Sequence, residues 1–271
     1  MSYEMSGHRS VNIHLWARGN KEPQISKKDI ACEVPVSLVY NGNAHAVMML
    51  SPIDLEDFAV GFSLTEGLVT SPSDITNIKV WQEDKGIMIT IDIPEAYNKV
   101  LESRKRNLTG YTGCGICGIE SLESALPELP KIESQLEISA NAINQSYDHL
   151  YDLQNEKQAT GTTHAAAFAL PNGEIQIVRE DVGRHNALDK LYGAMIKESI
   201  PPQDGFILIT SRCSFEMVQK TVRMGCPILA AISSPTTLAI ELAEQANLTL
   251  IAPTRKEQFN ILTNPERISS C

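Results

Sequence analysis

Gly205-Phe-Ile-Leu-Ile-Thr210, Ile228-Leu-Ala-Ala-Ile232 and Leu248-Thr-Leu-Ile-Ala252 are three short, unbroken apolar runs. Between them lie two helical patterns, Ser214–Met224, closed by Gly225, and Thr236–Ala246. An apolar run of this length reads as a strand buried on both faces, and strands alternating with helices read as parallel. Upstream, Gly183–Ile196 reads as a helix. Thr163–Leu170 and Glu174–Arg179 read as strands joined by the hairpin signal Pro171-Asn172-Gly173. Ala142–Glu156 reads as one helix before them. The order α-β-β-α-β-α-β-α-β predicts a three-layer α/β/α sandwich, with the hairpin adding an antiparallel edge.

The first half is mixed α and β. Val34–Tyr40 and Ala44–Leu50 flank the turn signal Asn41-Gly42-Asn43. Asp54–Glu66 reads as a helix ended by Gly67. Ile75–Gln82 and Gly86–Ile93 read as strands, and Tyr97–Asn107 as a polar helix. The expected organisation is an N-terminal extension over 1–30 and an α+β lobe over 31–125. A linker over 126–140 and the α/β domain over 141–271 complete it.

The chain has 271 residues, 42% of them hydrophobic, and a formal charge of −10 at pH 7. That size allows a large core in two lobes. The acidic balance argues against a general nucleic-acid binder, although Arg104-Lys105-Arg106, Arg184, Arg212 and Arg255-Lys256 leave room for a local anion site. No apolar run approaches a membrane span, and the polar start lacks the apolar segment of a signal peptide. The expectation is a cytoplasmic protein without membrane insertion. Six scattered cysteines do not form a secreted disulfide framework. Cys32 and Cys226 read as core residues, and Cys271 as an incidental terminal thiol.

Chemistry is expected in two places. One is Gly110-Tyr-Thr-Gly-Cys-Gly-Ile-Cys-Gly118, which sets Cys114 and Cys117 among glycines downstream of a basic run. Glycines leave the backbone free and cations favour the thiolate. Half a zinc site, a redox dithiol and a loop that hands on sulfur all fit this pattern. The other place is the carboxyl end of the sheet, where open α/β folds bind ligands. There stand Glu180-Asp181-Val-Gly-Arg184-His185-Asn186, Ser211-Arg212-Cys213-Ser214, Ser233-Ser-Pro-Thr-Thr237 and Pro253-Thr254-Arg255-Lys256. Ser214 and Thr236 read as helix caps. Arg184 and Arg212 on adjacent strand ends suggest a phosphate-bearing ligand, with His185 opening a helix beside them. A four-ligand zinc site would need His164, His185 or Cys213 in addition to the Cys-x-x-Cys pair. Zinc deaminases with this element order carry a His-x-Glu and a Pro-Cys-x-x-Cys at the two helix starts. Here those places hold His185-Asn186-Ala187 and Arg212-Cys213-Ser214-Phe215-Glu216, so the deaminase-like scaffold is expected without its zinc chemistry.

These residues resemble the FdhD family, the formate dehydrogenase accessory sulfurtransferases. The likeness rests on Gly113-Cys-Gly-Ile-Cys-Gly118, Thr163-His-Ala-Ala-Ala167, Glu180–Lys190, Ser211–Lys220, Asn247-Leu-Thr-Leu250 and Phe259-Asn-Ile-Leu-Thr263. It implies a cytidine-deaminase-like core and a homodimer. It also implies a persulfide on Cys114, taken from a cysteine desulfurase, with Cys117 as a second thiol. The sulfur would go to the molybdenum (or tungsten) bis-guanylyl-pterin cofactor, bound as substrate, before that cofactor enters formate dehydrogenase. By alignment, the nucleotide-binding loop after the last core strand falls on Pro253, Thr254, Arg255, Lys256, Glu257 and Gln258. No tightly held metal of its own is implied. A zinc- or cofactor-binding chaperone without turnover is the alternative.

Overall fold

The computed structural model describes residues 5–20, 22–107, 128–255 and 258–270. The larger lobe is built on a six-stranded sheet. Its strands are β8 (His164–Ala169), β9 (Ile175–Asp181), β10 (Phe206–Ile209), β11 (Ile228–Ala231), β12 (Thr249–Arg255) and β13 (Gln258–Ile261). They lie in the order β13-β12-β11-β10-β8-β9. The pairs β10–β11 and β11–β12 are parallel, and β8 runs antiparallel to both β9 and β10. The apolar runs are buried on both faces because side chains alternate across a strand. Ile207 and Ile209 face α5 (Arg184–Lys197), α6 (Phe215–Met224) and α7 (Thr237–Gln245). Phe206 and Leu208 face α3 (Ala140–Leu150) on the other side. This is the three-layer α/β/α sandwich, with β8 and β9 as the antiparallel addition.

The smaller lobe is a four-stranded sheet, ordered β4 (Asn43–Leu50), β3 (Val34–Tyr40), β6 (Gly86–Asp92), β5 (Asn77–Glu83). Val34, Val36, Leu38 and Tyr40 alternate inward with Ile87, Ile89 and Ile91, against Leu55, Phe58, Ala59 and Phe62 of α1 (Leu55–Thr65). The β3–β4 turn is left-handed at both Asn41 (φ 48) and Gly42 (φ 77), as the sequence signal requires. A short helix, α2 (Asn98–Asn107), follows β6.

Helices α1 and α5 cross at backbone contact. A Cβ placed on Gly61 would stand 1.8 Å from the Asp189 carbonyl oxygen, and one on Gly193 would stand 1.9 Å from that of Asp57. Only hydrogen fits at either position, so the two glycines set how closely the lobes approach.

Several elements differ from the sequence reading. The helix expected over Ala142–Glu156 is broken. It ends at Leu150, passes through a 3₁₀ turn at Tyr151–Leu153, and restarts as α4 (Asn155–Thr160). The Glu180 carboxylate causes the restart by accepting the Glu156 and Lys157 N–H groups, each at 2.8 Å. It supplies an N-cap from a distant strand, which local periodicity does not record. Residues 8–31 hold strands β1 (His8–Leu15) and β2 (Gln24–Ala31), paired antiparallel to each other. The described part of the 126–140 segment is anchored. Ile132 is buried and its N–H donates to the Ala246 carbonyl at 2.9 Å, and β7 (Ile138–Ser139) pairs with β14 (Ile268–Ser269). Cys226 is buried in the core, whereas Cys32 is only half-buried.

Candidate functional site

Asp181, the last residue of β9, organises the turn that carries Arg184 and His185. Its Oδ1 accepts from the Gly183 N–H at 2.7 Å and from Asn186 Nδ2 at 3.0 Å. Its Oδ2 accepts from the Ser51 N–H at 3.0 Å and from Lys190 Nζ at 2.7 Å. Asn186 also donates to the Met49 carbonyl, Ser51 Oγ accepts the Val182 N–H, and Lys190 donates to the Ser51 carbonyl. The end of β4 is thereby stapled to the turn. Lys190 and Asp181 are fully buried, and several fixed hydrogen bonds offset the cost of desolvating them. Arg184 and His185 open α5 on a rigid support.

The β10 end is built against the β11 end. Cys213 pairs with Pro235 as an isolated parallel bridge, and the Thr236 N–H donates to the Cys213 carbonyl at 3.0 Å. Thr236 caps α7 by accepting from the Ala239 N–H, as the sequence suggests. Ser214 does not cap α6. Its hydroxyl donates instead to Glu216 Oε2 at 2.7 Å. The same carboxylate oxygen lies 3.2 Å from His185 Nε2 and so joins α6 to α5. Burial pushes the Glu216 carboxyl up, but hydrogen bonds from His185 and Ser214 and the Arg184 charge outweigh it, leaving it below its ordinary value.

This crevice holds unspent bonding capacity. Arg184 Nε and Glu216 Oε1 are buried without a hydrogen-bond partner among the described residues, and Arg212 is exposed. His164 enters β8 at the same end, in register with Asp181. Burial lowers its pKa, and Lys157, Arg184 and Arg212 lower it further, so the imidazole is neutral at pH 7. Cys213 is fully buried, and burial pushes its thiol up to about 12, which leaves no thiolate for chemistry at neutral pH.

The structure therefore brings together Arg184, His185 and Arg212 from the sequence reading. Glu216, Asp181, Lys190 and Ser51 join them and had not been selected as site residues. Two signals pointed to them. Asp189-Lys190 interrupts the apolar positions Ala187, Leu188 and Leu191 of α5, and Glu216 falls in the first turn of α6. The Pro253–Gln258 stretch is not a plain loop, because β12 continues through Pro253 to Arg255 and β13 begins at Gln258. The ladder is irregular between Pro253 and Arg255, where proline withdraws an N–H. This tip stands at the same end of the sheet as the crevice, two strands or about 10 Å from β10. Cys114, Cys117, Lys256 and Glu257 lie outside the described residues. Among the described residues no three His, Cys, Asp or Glu side chains converge as a metal site would require, and no helix is long and apolar enough to cross a membrane.

Comparison with known proteins fits this architecture. A protein from Agrobacterium fabrum named Sulfur carrier protein FdhD is 47% identical over 91% of this chain and 91% of its own length. Its namesake from Cupriavidus necator is 44% identical over 96% of this chain and 90% of its own. The crystal structure of a proposed formate dehydrogenase accessory protein from Desulfotalea psychrophila superposes with a TM-score of 0.74 at 25% identity. That match covers 97% of this chain and all of the other. The FdhD/NarQ family model matches residues 31–269, a span that holds both lobes, the strand-end crevice and both cysteines of the glycine-rich motif, and the chain belongs to that family.

Proposed function

We propose that the protein is a sulfur carrier in formate dehydrogenase maturation. It takes sulfur from a cysteine desulfurase on Cys114 and delivers it to the molybdenum bis-guanylyl-pterin cofactor. The observation that carries this reading is the Gly113–Gly118 motif, which lies inside the family match in a chain whose relatives are named sulfur carriers. The crevice supports it, because Arg184, Arg212 and His185 stand where an α/β fold receives an anionic ligand.

In loading, the Cys114 thiolate attacks the outer sulfur of the desulfurase persulfide. A new S–S bond forms on Cys114 as the old one breaks, and the desulfurase cysteine leaves as a thiolate, with no net redox change. Release of that sulfur as hydrosulfide needs two electrons. The Cys117 thiolate supplies them by attacking the Cys114 sulfur, which closes a Cys114–Cys117 disulfide as hydrosulfide departs.

The test is intact mass after incubation with a cysteine desulfurase and cysteine. Wild type gains one sulfur, Cys114→Ser gains none, and Cys117→Ser gains it and keeps it. A sulfur adduct independent of Cys114 overturns the assignment. Tightly held zinc that is lost on Cys117→Ser would favour the chaperone reading instead.

A further inference from the structure

The β1–β2 hairpin is a sheet of only two strands. A lone hairpin is marginal in water and needs a further surface to be stable. This arm is held at its root on α4, where His8 meets Glu156, and where the Cys32 N–H donates to the Gly7 carbonyl at 2.8 Å. Its far end stands in water, with residues 14–19 and 22–25 all exposed. Three large apolar side chains are among them, Leu15 at 48%, Trp16 at 62% and Ile25 at 75%. Ile25 pairs with His14 and Leu15 with Gln24, so Leu15 lies on one face and Ile25 on the other, with Trp16 next along the chain. The tip is therefore apolar on both faces. The family match begins at residue 31, where the arm ends, so the arm is an addition to the shared fold.

Charge on the arm runs against that of the chain. Residues 16–28 hold four Lys or Arg and one Asp or Glu, on a chain of charge −10. Lys27 and Lys28 are exposed on opposite faces, about 7–10 Å behind Ile25 toward the root. Apolar and tryptophan side chains backed by cations suit a lipid headgroup layer, where Trp sits at the boundary and Lys or Arg meets phosphate. The acidic body does not cancel this attraction. A strand of eight residues carries the tip about 25 Å from the root, roughly three Debye lengths at physiological salt.

We propose that the arm docks the protein on an anionic lipid surface. Leu15, Trp16 and Ile25 enter the headgroup layer, and Lys27 and Lys28 meet lipid phosphates behind them. The attachment is peripheral and reversible, and it needs no spanning segment. A groove on a protein fits a hairpin with one apolar face, whereas this tip is apolar on both. A nucleic acid would use the cations and leave Leu15 and Ile25 in water. The arm is rooted on α4, which Glu180 caps beside Asp181, so a docked arm holds the crevice within about its own length of the surface.

The test is co-sedimentation of the full chain with vesicles of phosphatidylcholine, with and without phosphatidylglycerol, at several salt levels. Wild type pellets with the anionic vesicles and not with the neutral ones, and salt releases it. Lys27→Glu with Lys28→Glu weakens binding by at least about tenfold. Trp16→Ser with Ile25→Ser weakens it by about as much and leaves the salt dependence in place. Lys79→Glu, at an exposed site on the smaller lobe, leaves binding unchanged. Trp81→Phe makes Trp16 the single tryptophan of the chain, and its emission shifts to the blue on anionic vesicles and is quenched by brominated acyl chains. All these positions face solvent, and circular dichroism checks that each variant is folded. The proposal is overturned by a wild type that stays in solution with anionic vesicles at low salt, or by equal binding to neutral and anionic vesicles. It is equally overturned if the arm variants leave vesicle binding intact and instead disrupt contact with a second copy or with the desulfurase.

Discussion

The junction between the lobes and the crevice at the strand ends are both rich in charge, yet they treat it oppositely. At the junction charges are matched. Lys220 Nζ reaches Asp189 at 2.9 Å, Glu66 at 2.7 Å and Thr65 Oγ1 at 2.9 Å. Arg179 reaches Asp57 at 2.8 Å, and Arg223 donates to the Thr65 carbonyl. Burial pushes the Asp189 carboxyl up, whereas two carboxylates hold Lys220 above its usual value against burial, so the lysine stays cationic. At the crevice, Arg184 Nε and Glu216 Oε1 are buried and unmatched among the described residues. A matched network fixes geometry, and an unmatched one keeps donors and acceptors for a ligand.

Overfilling the junction is the strongest way to break that contrast. Gly61→Ala drives a methyl group to 1.8 Å from the Asp189 carbonyl, with backbone on both sides and no flexible side chain to yield. The helices must separate, and urea unfolding should show a loss of about 3 kcal/mol or outright failure to fold. A loss below about 1 kcal/mol would mean that the crossing is looser than its geometry.

Unmatching one charge comes next. Lys220→Met leaves Asp189 buried beside Glu66 without its cation, which costs about 3 kcal/mol, the low end for a broken buried pair because Glu66 stays partly exposed. Lys220→Met combined with Asp189→Leu should recover a large part of that loss, because an apolar pair of similar size replaces the ions. If the double variant is as weak as the sum of the singles, the network acts through shape and not through charge.

The same contrast explains what could be read from sequence. The parallel strands of the larger lobe were legible because Phe206–Ile209 and Ile228–Ala231 are buried on both faces and admit no other pattern. The Asn41-Gly42 hairpin was legible because its left-handed pair of residues is written locally. The break between α3 and α4 was not, since Glu180 caps the second helix from another part of the chain. The site divided in the same way. Arg184 and Arg212 follow strand ends in the sequence, but the Glu216–His185 contact bridges two helices across 31 positions. No periodicity announces a tertiary hydrogen bond of that kind. The β12 extension through Pro253 was hidden for another reason, because proline argues locally against a strand interior and the bulge accommodates it.

A smaller effect is expected at the crevice. Glu216 has a folded-state pKa below its ordinary 4.5, so its contribution to stability is present above 4.5 and is lost as pH falls through the lower folded value. Glu216→Gln should cost about 1 kcal/mol or less near neutrality. The difference from wild type should vanish in that acid window. A difference that persists unchanged to the lowest pH would assign Glu216 to packing.

The smallest effect lies where the arm meets the body. His8 Nδ1 and Glu156 Oε2 are 2.9 Å apart, with 36% of the histidine side chain exposed. The Glu156 hydrogen bond raises the His8 pKa, slight burial opposes it, and the charges of Glu156 and Asp29 add to the rise. A base whose folded pKa is raised stabilises fully below its unfolded value of 6.5, and that contribution is lost as pH rises through the folded value. Solvent screens a pair this exposed, so His8→Ala should cost only about 0.5 kcal/mol on the acid side and nothing measurable in alkali. Urea midpoints of wild type and variant on both sides of the titration give the answer. Gly7 also packs against Glu156, where an added Cβ would meet the carboxylate carbon at 2.3 Å, so the arm root has a steric component as well. An equal loss on both sides of the titration would show that shape alone holds the arm. The arm would then share the junction's steric logic while lacking its matched charges.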